Sequence, residues 1–514
     1  MTHAVLPPLI QQMLDPAFYP HPVETPIQLI QTHVSYVLLT GDYAYKVKKT
    51  VDFGFLDYST LAKRRHFCEE ELRLNQRGAA MLYLAVLPIA QGGDRYQLGG
   101  DGEPVEYTVK MRQFPQSALL SQRFERGELT EEMVRRLAIA IADFHQAAET
   151  SDYIRTFGSV EQIRASIDEN YAQTVDFIGG PQTQQQFDDT QAYTDRFFAT
   201  ETALLQDRVN QGWIRACHGD LHLNNICEWQ DQLLLFDCIE FNEPFRFVDV
   251  MFDIAYIVMD LMVKGKAGLT AAFLSEYVER TGDWEGLRVL PLYVSRQSYV
   301  RGKVLSFLLN DPALDDATKA EVVQKAAPYY TLAWQYPQRP VGQVVLMAGL
   351  SGSGKTTTAR QLSHRIGAIH LRSDAVRKHL AGVPLHDRGD DSLYTPEMTQ
   401  RTYDRLVALG IQIAQAGYSV VLDAKYDRET LRQAAIAQIQ AANLTVAIVQ
   451  CTAPIEVLRS RVQQRTGDIA DATLAVLAQQ HFEPFTPGEA PLVLTVDTTQ
   501  PVDPQLEARF SPVG

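Results

Sequence analysis

The residues with the clearest chemical potential form a glycine-rich stretch between two structured segments. It runs from Gly349 to Thr356 and reads Gly-Leu-Ser-Gly-Ser-Gly-Lys-Thr. The apolar run 343–348 predicts a buried parallel strand before it, and residues 357–366 predict a helix after it. A strand, a glycine-rich turn and a helix in this order are the context in which this motif binds phosphate. The alternative is a glycine-rich turn that binds nothing.

The chemistry of such a loop follows from its backbone and two side chains. Glycines accept backbone angles closed to other residues, so that successive N–H groups and the helix N-terminus can converge on one anion. Lys355 would reach the β- and γ-phosphates and is also a predicted catalytic residue, whereas Thr356 would hold Mg²⁺. The predicted nucleotide-binding residues are Gly349, Ser351, Gly352, Ser353, Gly354, Lys355, Thr356 and Thr357.

A second set of polar residues lies in the segment 217–237. His218, Asp220 and Asn225 have the H-x-D-x-x-x-x-N spacing of a kinase catalytic loop, and Asp237 ends the next apolar run. Phosphoryl transfer needs a carboxylate that accepts the proton of the acceptor hydroxyl, and oxygen ligands for Mg²⁺. We therefore predict that Asp220 is the base and that Asn225 and Asp237 bind the metal.

The composition limits the class of protein. The chain has 514 residues, of which 46% are hydrophobic, and these values predict a globular protein of two or three domains. A formal net charge of −15 argues against general nucleic-acid binding and against binding to anionic membranes. The five cysteines form no CxxC pair, and the N-terminal sequence lacks a signal-peptide pattern. We therefore expect reduced thiols, no zinc site and a cytoplasmic location.

The most apolar long stretch, residues 248–263, is interrupted by aspartates and predicts a buried helix instead of a membrane span. Asp249 and Asp253 lie at helical spacing in it, and we expect them to cap backbone groups or to tether a loop. Glu240, three residues after Asp237, has two interpretations: it contacts the metal or substrate, or it forms a surface salt bridge.

The N-terminal half predicts a small β lobe followed by a larger helical lobe. Residues 35–48 have the pattern of a β-hairpin, residues 60–77 of a helix, and residues 82–90 and 106–114 of further strands. Mostly helical sequence follows from residue 131 onward. The predicted fold class of this half is α+β.

The C-terminal half predicts a different architecture. Residues 336–342 contain two prolines and a glycine and predict a linker, which gives domains at 1–335 and 343–514. Strand and helix patterns then alternate, which predicts a five-stranded parallel sheet covered on both faces. Ligands should lie at the C-terminal ends of its strands, where Lys355, Asp374 and Asp423 fall.

The sequence His-Gly-Asp-Leu-His-Leu-Asn-Asn that begins at His218, followed by Leu-Phe-Asp at 235–237, resembles the catalytic segment of the aminoglycoside-phosphotransferase family. Members of that family have a protein-kinase-like fold. The resemblance implies a lysine on the third strand that pairs with a glutamate on the following helix. It also implies a hinge that meets adenine, for which residues 111–114 are the candidates.

The resemblance leaves a choice of residues for this ion pair. Lys46 is the preferred lysine, with Lys48 as the alternative on the same strand face, and Glu71 is preferred to Glu70. The nucleotide loop expected around residues 31–35 contains no glycine. The alternative for this half is therefore a pseudokinase, although all residues of the catalytic loop are present.

The C-terminal motifs resemble small P-loop kinases of the polynucleotide kinase, zeta-toxin and gluconate-kinase kind. These motifs are the glycine loop, Ser-Asp-Ala-Val-Arg at 373–377 and Val-Leu-Asp-Ala at 421–424. The resemblance implies that Asp374 is the general base, with a helix N-cap as its alternative role, and that Arg377 holds the substrate. Asp423 would contact Mg²⁺ or substrate.

A lid arginine is also implied by this resemblance. The candidates are Arg459, Arg461 and Arg465, of which Arg465 is preferred, and the alternative is a solvated helix face.

Together the two halves resemble bacterial fusions of an aminoglycoside-phosphotransferase-like domain with a P-loop kinase domain, which are often described as AAA-family ATPases. The resemblance implies ATP and Mg²⁺ as cofactors and hydroxyl groups of small molecules as acceptors, such as sugars, aminoglycoside-like compounds or nucleotides. The alternative is a nucleotide-binding regulator whose N-terminal half has lost catalysis. The sequence does not determine the oligomeric state.

Overall fold

The structure is a computed structural model that describes residues 6–100, 102–464, 469 and 473–512, without the side chain of residue 391. Its strands, in chain order, are β1 Gln28–Gln31, β2 Ser35–Leu39, β3 Tyr43–Lys48, β4 Tyr83–Gly92, β5 Arg95–Leu98, β6 Pro104–Arg112, β7 Ile214–Ala216, β8 Ile226–Trp229, β9 Gln232–Leu235, β10 Phe247–Asp249, β11 Val344–Ala348, β12 Ile369–Arg372, β13 Val420–Asp423, β14 Val446–Thr452 and β15 Val493–Asp497.

The helices of the described residues are α1 Pro8–Met13, α2 Leu61–Ala79, α3 Leu120–Glu125, α4 Glu131–Ala147, α5 Asp152–Thr156, α6 Val160–Ala172, α7 Gln184–Thr200, α8 Thr202–Asn210, α9 Glu243–Arg246, α10 Val250–Met262, α11 Ala267–Thr281, α12 Leu290–Ser306, α13 Asp316–Gln335, α14 Lys355–Ile366, α15 Ser373–Ala381, α16 Pro396–Gln415, α17 Glu429–Ala441, α18 Ile455–Gln464, α19 Leu474–Gln479 and α20 Asp503–Glu507. Of these described helices, none combines the length and the hydropathy that crossing a bilayer requires.

The chain packs into two units that are not continuous in sequence. The first contains residues 6–129, 147–159 and 208–253, and the second contains the remaining described residues. The second unit therefore joins helices from both sides of the segment 336–342. The domain limits 1–335 and 343–514 stay predictions.

The first unit is built on an antiparallel sheet with the strand order β1-β2-β3-β6-β4-β5. Side chains alternate along a strand, so Tyr45 and Val47 of β3 enter one apolar core with Leu38, while the neighbouring lysines lie on the other face. Helix α2 contacts β4, β6 and β9. Its Thr60 N-cap accepts a hydrogen bond from the backbone N–H of Lys63.

The spacing of the buried residues along α2 decides which glutamate enters the interior. Arg64, Cys68, Glu71 and Asn75 are buried and recur every three or four residues, so they share one face of the helix. Glu71 is therefore carried to the sheet. Glu70 lies outside this stripe.

The second unit contains a five-stranded parallel sheet, as predicted, and its strand order is β12-β13-β11-β14-β15. Strand β11 is buried along its whole length, as expected for a parallel strand covered on both faces. Helix α14 packs against β11, β12 and β13, and α16 contacts the same three strands. The predicted fold class, a kinase-like α+β half with a C-terminal α/β half, is confirmed.

Helix α11, from the N-terminal half of the sequence, packs against β12 and α14. Ser275 Oγ accepts a hydrogen bond of 2.9 Å from the backbone N–H of His370 on β12. Glu279 lies 3.3 Å from the Arg372 guanidinium, and its carbonyl oxygen lies 2.8 Å from Nε2 of His379. The strand that leads to Asp374 is therefore braced by a helix that precedes the predicted linker.

We expect the Glu279 carboxyl to make the stability of the second unit depend on pH. Burial raises its pKa from 4.5 to about 7, although Arg372 opposes this shift and Glu276 adds to it. Because the folded state binds more protons than the unfolded chain between pH 4.5 and about 7, the contribution of Glu279 to stability falls as pH rises through this window. The Glu279→Gln variant does not titrate at this position. Relative to this variant, the free energy of unfolding of the wild type should fall by up to about 3 kcal/mol as the pH rises through this window.

Urea unfolding of both full-length proteins at pH values from about 5 to about 8 measures this difference. The matched control is Glu321→Gln, because Glu321 forms an exposed ion pair with Lys325 and should give a curve parallel to the wild type. A difference between wild type and Glu279→Gln that does not change with pH would contradict the prediction.

Candidate active sites

Two lysines of β3 meet one buried carboxylate in the first unit. The ammonium nitrogen of Lys46 lies 2.8 Å from Glu71 Oε1 and 2.6 Å from Asp237 Oδ1. The ammonium nitrogen of Lys48 lies 2.6 Å from the other oxygen, Glu71 Oε2. Both lysines considered from the sequence therefore pair with Glu71. Glu70 instead forms an ion pair with Arg73 on the same helix.

These contacts keep the groups ionised. Burial opposes the charge of Lys46, but Asp237 and Glu71 hold its pKa well above the usual value. Burial likewise would raise the pKa of Glu71, but Lys46 and Lys48 hold it below its usual value. The pKa of Asp237 is lowered because the charge of Lys46 outweighs the effect of burial. The four residues therefore form a charged network at neutral pH.

Glu240 extends this network and corrects one interpretation of the sequence. It is only 8% exposed, so it does not form a surface salt bridge. Its Oε1 pairs with the Lys48 ammonium and accepts a hydrogen bond of 2.5 Å from the Tyr58 hydroxyl. Neither pairing has a local sequence signal, because Glu240 is distant from both partners along the chain.

The predicted catalytic loop holds Asp220 beside Asn225. Asn225 Nδ2 donates to the carbonyl oxygen of Asp220 at 2.9 Å and to its Oδ2 at 3.1 Å. His222 Nε2 lies 3.2 Å from the same Oδ2. Gly219 has φ +88°, and a Cβ at this position would lie 2.8 Å from the carbonyl oxygen of Phe245. The loop therefore requires glycine directly before Asp220.

Asp253 binds the backbone of this loop. Its two carboxylate oxygens accept hydrogen bonds from the backbone N–H groups of His218, at 2.9 Å, and Gly219, at 2.8 Å. Asp249 forms a buried ion pair with Arg208 at 2.5 Å. The prediction that these aspartates cap backbone groups or tether a loop is confirmed for both, since Asp249 Oδ1 also accepts a hydrogen bond of 2.9 Å from the backbone N–H of Met251. Burial lowers the pKa of His218, so its ring is neutral, and Nε2 lies 2.9 Å from the carbonyl oxygen of Phe236.

A cavity of about 340 Å³ opens beside these residues. Lys46, Asp220 and Asp237 line it, together with the predicted hinge residues 111–114. Its other walls are largely apolar, with Val37, Leu39, Ala44 and Phe236 among the lining residues. An apolar space next to fixed charges suits a nucleotide base joined to phosphate groups.

The glycine-free turn between β1 and β2 lines the same cavity but closes on itself. The Thr32 hydroxyl accepts hydrogen bonds from the backbone N–H groups of Val34, at 3.3 Å, and Ser35, at 2.9 Å. The backbone N–H of Thr32 donates to the carbonyl oxygen of Ser35 at 3.0 Å. These amides are satisfied within the turn, so this turn differs from a glycine loop whose N–H groups point at a phosphate.

The glycine-rich stretch in the second unit forms the turn between β11 and α14. Gly352 has φ +80°, and a Cβ at this position would lie 2.6 Å from the carbonyl oxygen of Leu458, so the turn needs glycine here. Lys355 begins α14, and its ammonium donates to the carbonyl oxygen of Leu350 at 2.8 Å. Burial lowers the pKa of Lys355, against the opposing effect of Asp423. A partly buried ammonium whose hydrogen bond among the described residues goes to a backbone carbonyl fits a phosphate ligand.

The remaining loop residues differ in position. Ser351, Lys355 and Thr356 line a cavity of about 560 Å³, and Thr357, one residue further along α14, is exposed. Ser351 also receives a contact that the sequence did not indicate: Gln480 Oε1 accepts a hydrogen bond of 2.9 Å from its backbone N–H. Gly349 and Gly354 also have positive φ, and Ser353 is buried.

Asp423 lies at the C-terminal end of β13, in register with Met347 of β11 and Arg372 of β12. Its Oδ2 lies 3.1 Å from Nε2 of His370. Burial would raise the pKa of Asp423, but His370 and the neighbouring cations lower it to about 2. His370 is thus a further residue of the site that only strand pairing reveals.

Asp374 and Arg377 lie on α15 and line the same cavity as Asp423. Asp374 is not the N-cap of this helix, because Arg372 occupies that position. The alternative role considered for Asp374 is therefore wrong. Asp374 falls in the first turn, where its charge interacts favourably with the helix dipole.

The three candidate lid arginines have different positions. Arg461 donates from Nη2 to the carbonyl oxygen of Thr498 and from Nη1 to its hydroxyl, both at 2.8 Å, so it joins α18 to the segment after β15. Arg459 is exposed on α18. Arg465 lies outside the described residues.

Comparisons with known proteins match the two halves of the sequence to two different families. Residues 64–290 match the family described as "Phosphotransferase enzyme family", and residues 344–484 match the family described as "AAA domain". The amicoumacin kinase hAmiN, solved with AMP-PNP, Ca²⁺ and Ami, is 14% identical and has a TM-score of 0.39 over 63% of this chain and 92% of its own. The APS kinase CysC of Mycobacterium tuberculosis, solved with AMPPNP and APS, is 22% identical, with a TM-score of 0.27 over 33% of this chain and 95% of its own.

Two mycobacterial relatives match nearly the whole chain. "Uncharacterized protein Rv2004c" of Mycobacterium tuberculosis is 30% identical over 466 residues, which cover 89% of this chain and 90% of that protein. "Uncharacterized protein Mb2027c" of Mycobacterium bovis matches with the same identity and coverage. The chain therefore belongs to the same family as these mycobacterial proteins, and it joins a phosphotransferase-family domain to an AAA domain of the P-loop kinase type.

Proposed function

We propose that this protein is an ATP- and Mg²⁺-dependent phosphotransferase with two separate nucleotide sites, which transfers phosphate to hydroxyl groups of small molecules. The observation that carries the proposal is the cavity of about 560 Å³ in the second unit. It brings Lys355 and Thr356 of the glycine loop together with Asp374 and Asp423. This set contains the groups that phosphoryl transfer needs, namely a phosphate cradle, a metal ligand and a base.

At this P-loop site, MgATP would supply the phosphoryl group and the charge neutralisation that its transfer needs. The loop amides and Lys355 would bind the phosphates, and Thr356 and Asp423 would hold the metal or its water ligands. His370 keeps Asp423 oriented and ionised through their hydrogen bond. Asp374 would accept the proton of the acceptor hydroxyl.

At the kinase-like site, Lys46 would bind phosphate oxygens while Glu71 holds its side chain in place. Asn225 and Asp237 would hold the metal, and Asp220 would orient and deprotonate the acceptor hydroxyl. The hydrogen bond from Asn225 to Asp220 supports this assignment, because it joins the predicted metal ligand to the predicted base. Residues 111–114 would meet the adenine.

A second candidate function is an ATP-binding regulator in which only the P-loop site turns over. The observation that favours it is the turn at 32–35, whose amides bond to Thr32 and Ser35 instead of facing the cavity. In that case the kinase-like half binds nucleotide without transferring phosphate. The two candidates share the P-loop site and differ at Asp220.

One prediction concerns the number of nucleotide sites. The full-length protein should bind two equivalents of MgADP in equilibrium dialysis, and Lys355→Ala should bind one, because the loop loses the cation that neutralises the phosphates. Lys46→Ala should remove the other equivalent. The exposed Lys325→Ala serves as the matched control and should keep both. Two equivalents retained in Lys355→Ala would exclude the glycine loop as a nucleotide site.

Another prediction concerns the base at the kinase-like site. In the Lys355→Ala background, ADP release with a panel of alcohol acceptors reports this site alone. Asp220→Asn should lower that rate by about 10²- to 10⁴-fold and leave MgADP binding unchanged, since it removes the proton acceptor without removing a phosphate contact. An unchanged rate would refute the assignment of Asp220. No acceptor-dependent ADP release before the second substitution would favour the regulator.

A further inference from the structure

Gln480 makes a two-point contact with the glycine-rich loop. Its Oε1 accepts a hydrogen bond of 2.9 Å from the backbone N–H of Ser351, and its Nε2 lies 3.0 Å from Ser351 Oγ. Both residues line the cavity of about 560 Å³ that also contains Lys355 and Asp374. The contact therefore lies beside the place where the proposed phosphate transfer occurs.

The chemistry of these groups determines the direction of both hydrogen bonds. A backbone N–H can only donate, so the carboxamide oxygen of Gln480 has to face it, and the carboxamide NH₂ group then faces Ser351 Oγ. An NH₂ group can also only donate, so the hydroxyl oxygen accepts this bond and its own proton points elsewhere. Within the described part of the chain, the Ser351 hydroxyl has no other hydrogen-bond partner. Its O–H is therefore available as a donor at the cavity.

The chain before Gln480 packs against the loop that it contacts. Leu477 of α19 is buried in a small apolar cluster with Leu458 and Val462 of α18. Leu350, the loop residue directly before Ser351, packs against the same cluster. The loop and the helix that precedes Gln480 are therefore held together by apolar contacts as well as by the two hydrogen bonds.

The chain after Gln480 is held by Arg432 of α17, which is fully buried. Its Nη2 donates to the carbonyl oxygen of Pro484 at 3.0 Å, and its Nε lies 2.7 Å from Glu489. Because Gln480 is restrained on both sides, the folded chain has already lost most of the freedom of this segment. Its carboxamide can therefore orient a partner at a small further cost in entropy.

We propose that Gln480 is a positioning residue of the P-loop site, which orients the Ser351 hydroxyl as a hydrogen-bond donor to a phosphate oxygen of the bound nucleotide. This inference rests on the proposed function and names the atom of Ser351 that contacts phosphate. That atom is the hydroxyl, because the backbone N–H is already bonded to Gln480. The donor is oriented before the nucleotide enters, so binding does not have to order it.

Nucleotide binding by the full-length protein tests this role. The non-hydrolysable analogue MgAMP-PNP is titrated by calorimetry in the Lys46→Ala background, so that only the P-loop site is measured. Ser351→Ala removes the donor and Gln480→Ala removes the group that orients it, and each should weaken binding about three- to tenfold. The double variant should bind no more weakly than Ser351→Ala, because both changes act through the same hydroxyl.

A change of hydrogen-bond polarity separates positioning from packing. Gln480→Glu keeps the size of the side chain, but a carboxylate only accepts, so the Ser351 hydroxyl would donate to it instead of to phosphate. Binding of MgAMP-PNP should weaken by at least about tenfold, and by more than in Gln480→Ala, because the carboxylate also repels the phosphates. A residue that acts only through packing would tolerate this change of nearly equal volume.

Gln479→Ala is the matched control. Gln479 is the preceding glutamine, is exposed and does not line the P-loop cavity, so this variant should bind MgAMP-PNP as its Lys46→Ala parent does. Melting temperatures measured without nucleotide show whether each variant is folded. If Gln480→Ala is not folded, Ser351→Ala and Gln480→Glu still decide the question.

Tighter binding in Gln480→Ala would overturn the inference, because it would mean that Gln480 competes with phosphate for the backbone N–H of Ser351. Unchanged binding in Ser351→Ala, which keeps this N–H and loses only the hydroxyl, would overturn it as well. Failure of the proposed function looks different. The Lys46→Ala parent would then bind no MgAMP-PNP, and both proposals would be refuted together.

Discussion

A buried charge needs an opposite charge, and the two cavities of this protein meet that requirement in different ways. In the kinase-like cavity the chain supplies both signs, since Lys46 and Lys48 share the two oxygens of Glu71 and are also paired with Asp237 and Glu240. In the P-loop cavity Arg377 is buried without a carboxylate among the described residues. The first site is therefore neutralised by its own residues, whereas Arg377 donates to the backbone carbonyl of Leu393 and has no carboxylate partner among the described residues.

The P-loop site also depends on residues far away in the sequence. Strand β12 carries His370 and ends just before Asp374, and its backbone and side chains bond to Ser275 and Glu279 of α11. Helix α11 belongs to the stretch that matches the phosphotransferase family. The geometry of Asp374 is thus set partly by the other half of the chain, and the second unit does not correspond to one linear half of the sequence.

The sequence predicted the features of the sites that depend on a local pattern of residues. It did not predict the contacts that join distant segments of the chain. The glycine turn, the loop around Asp220 and the five parallel strands follow from spacing and hydrophobic periodicity over a few residues. The sharing of Glu71 by Lys46 and Lys48 was not predictable, because a choice between the two lysines assumes one partner each. The burial of Glu240 and the contact of Gln480 with Ser351 depend on tertiary packing and leave no local pattern.

The ion pair between Lys46 and Asp237 does not by itself argue against catalysis. In the proposed reaction Lys46 binds phosphate oxygens and Asp237 binds the metal. Lys46 thus exchanges one anionic partner for another, and Asp237 exchanges one cationic partner for another. Glu71 would stay paired with both lysines and Lys48 would keep Glu240, so neither lysine would be left without a carboxylate. Under the proposed function the pairing would be the resting form of the site, and the distinction between enzyme and regulator depends on Asp220.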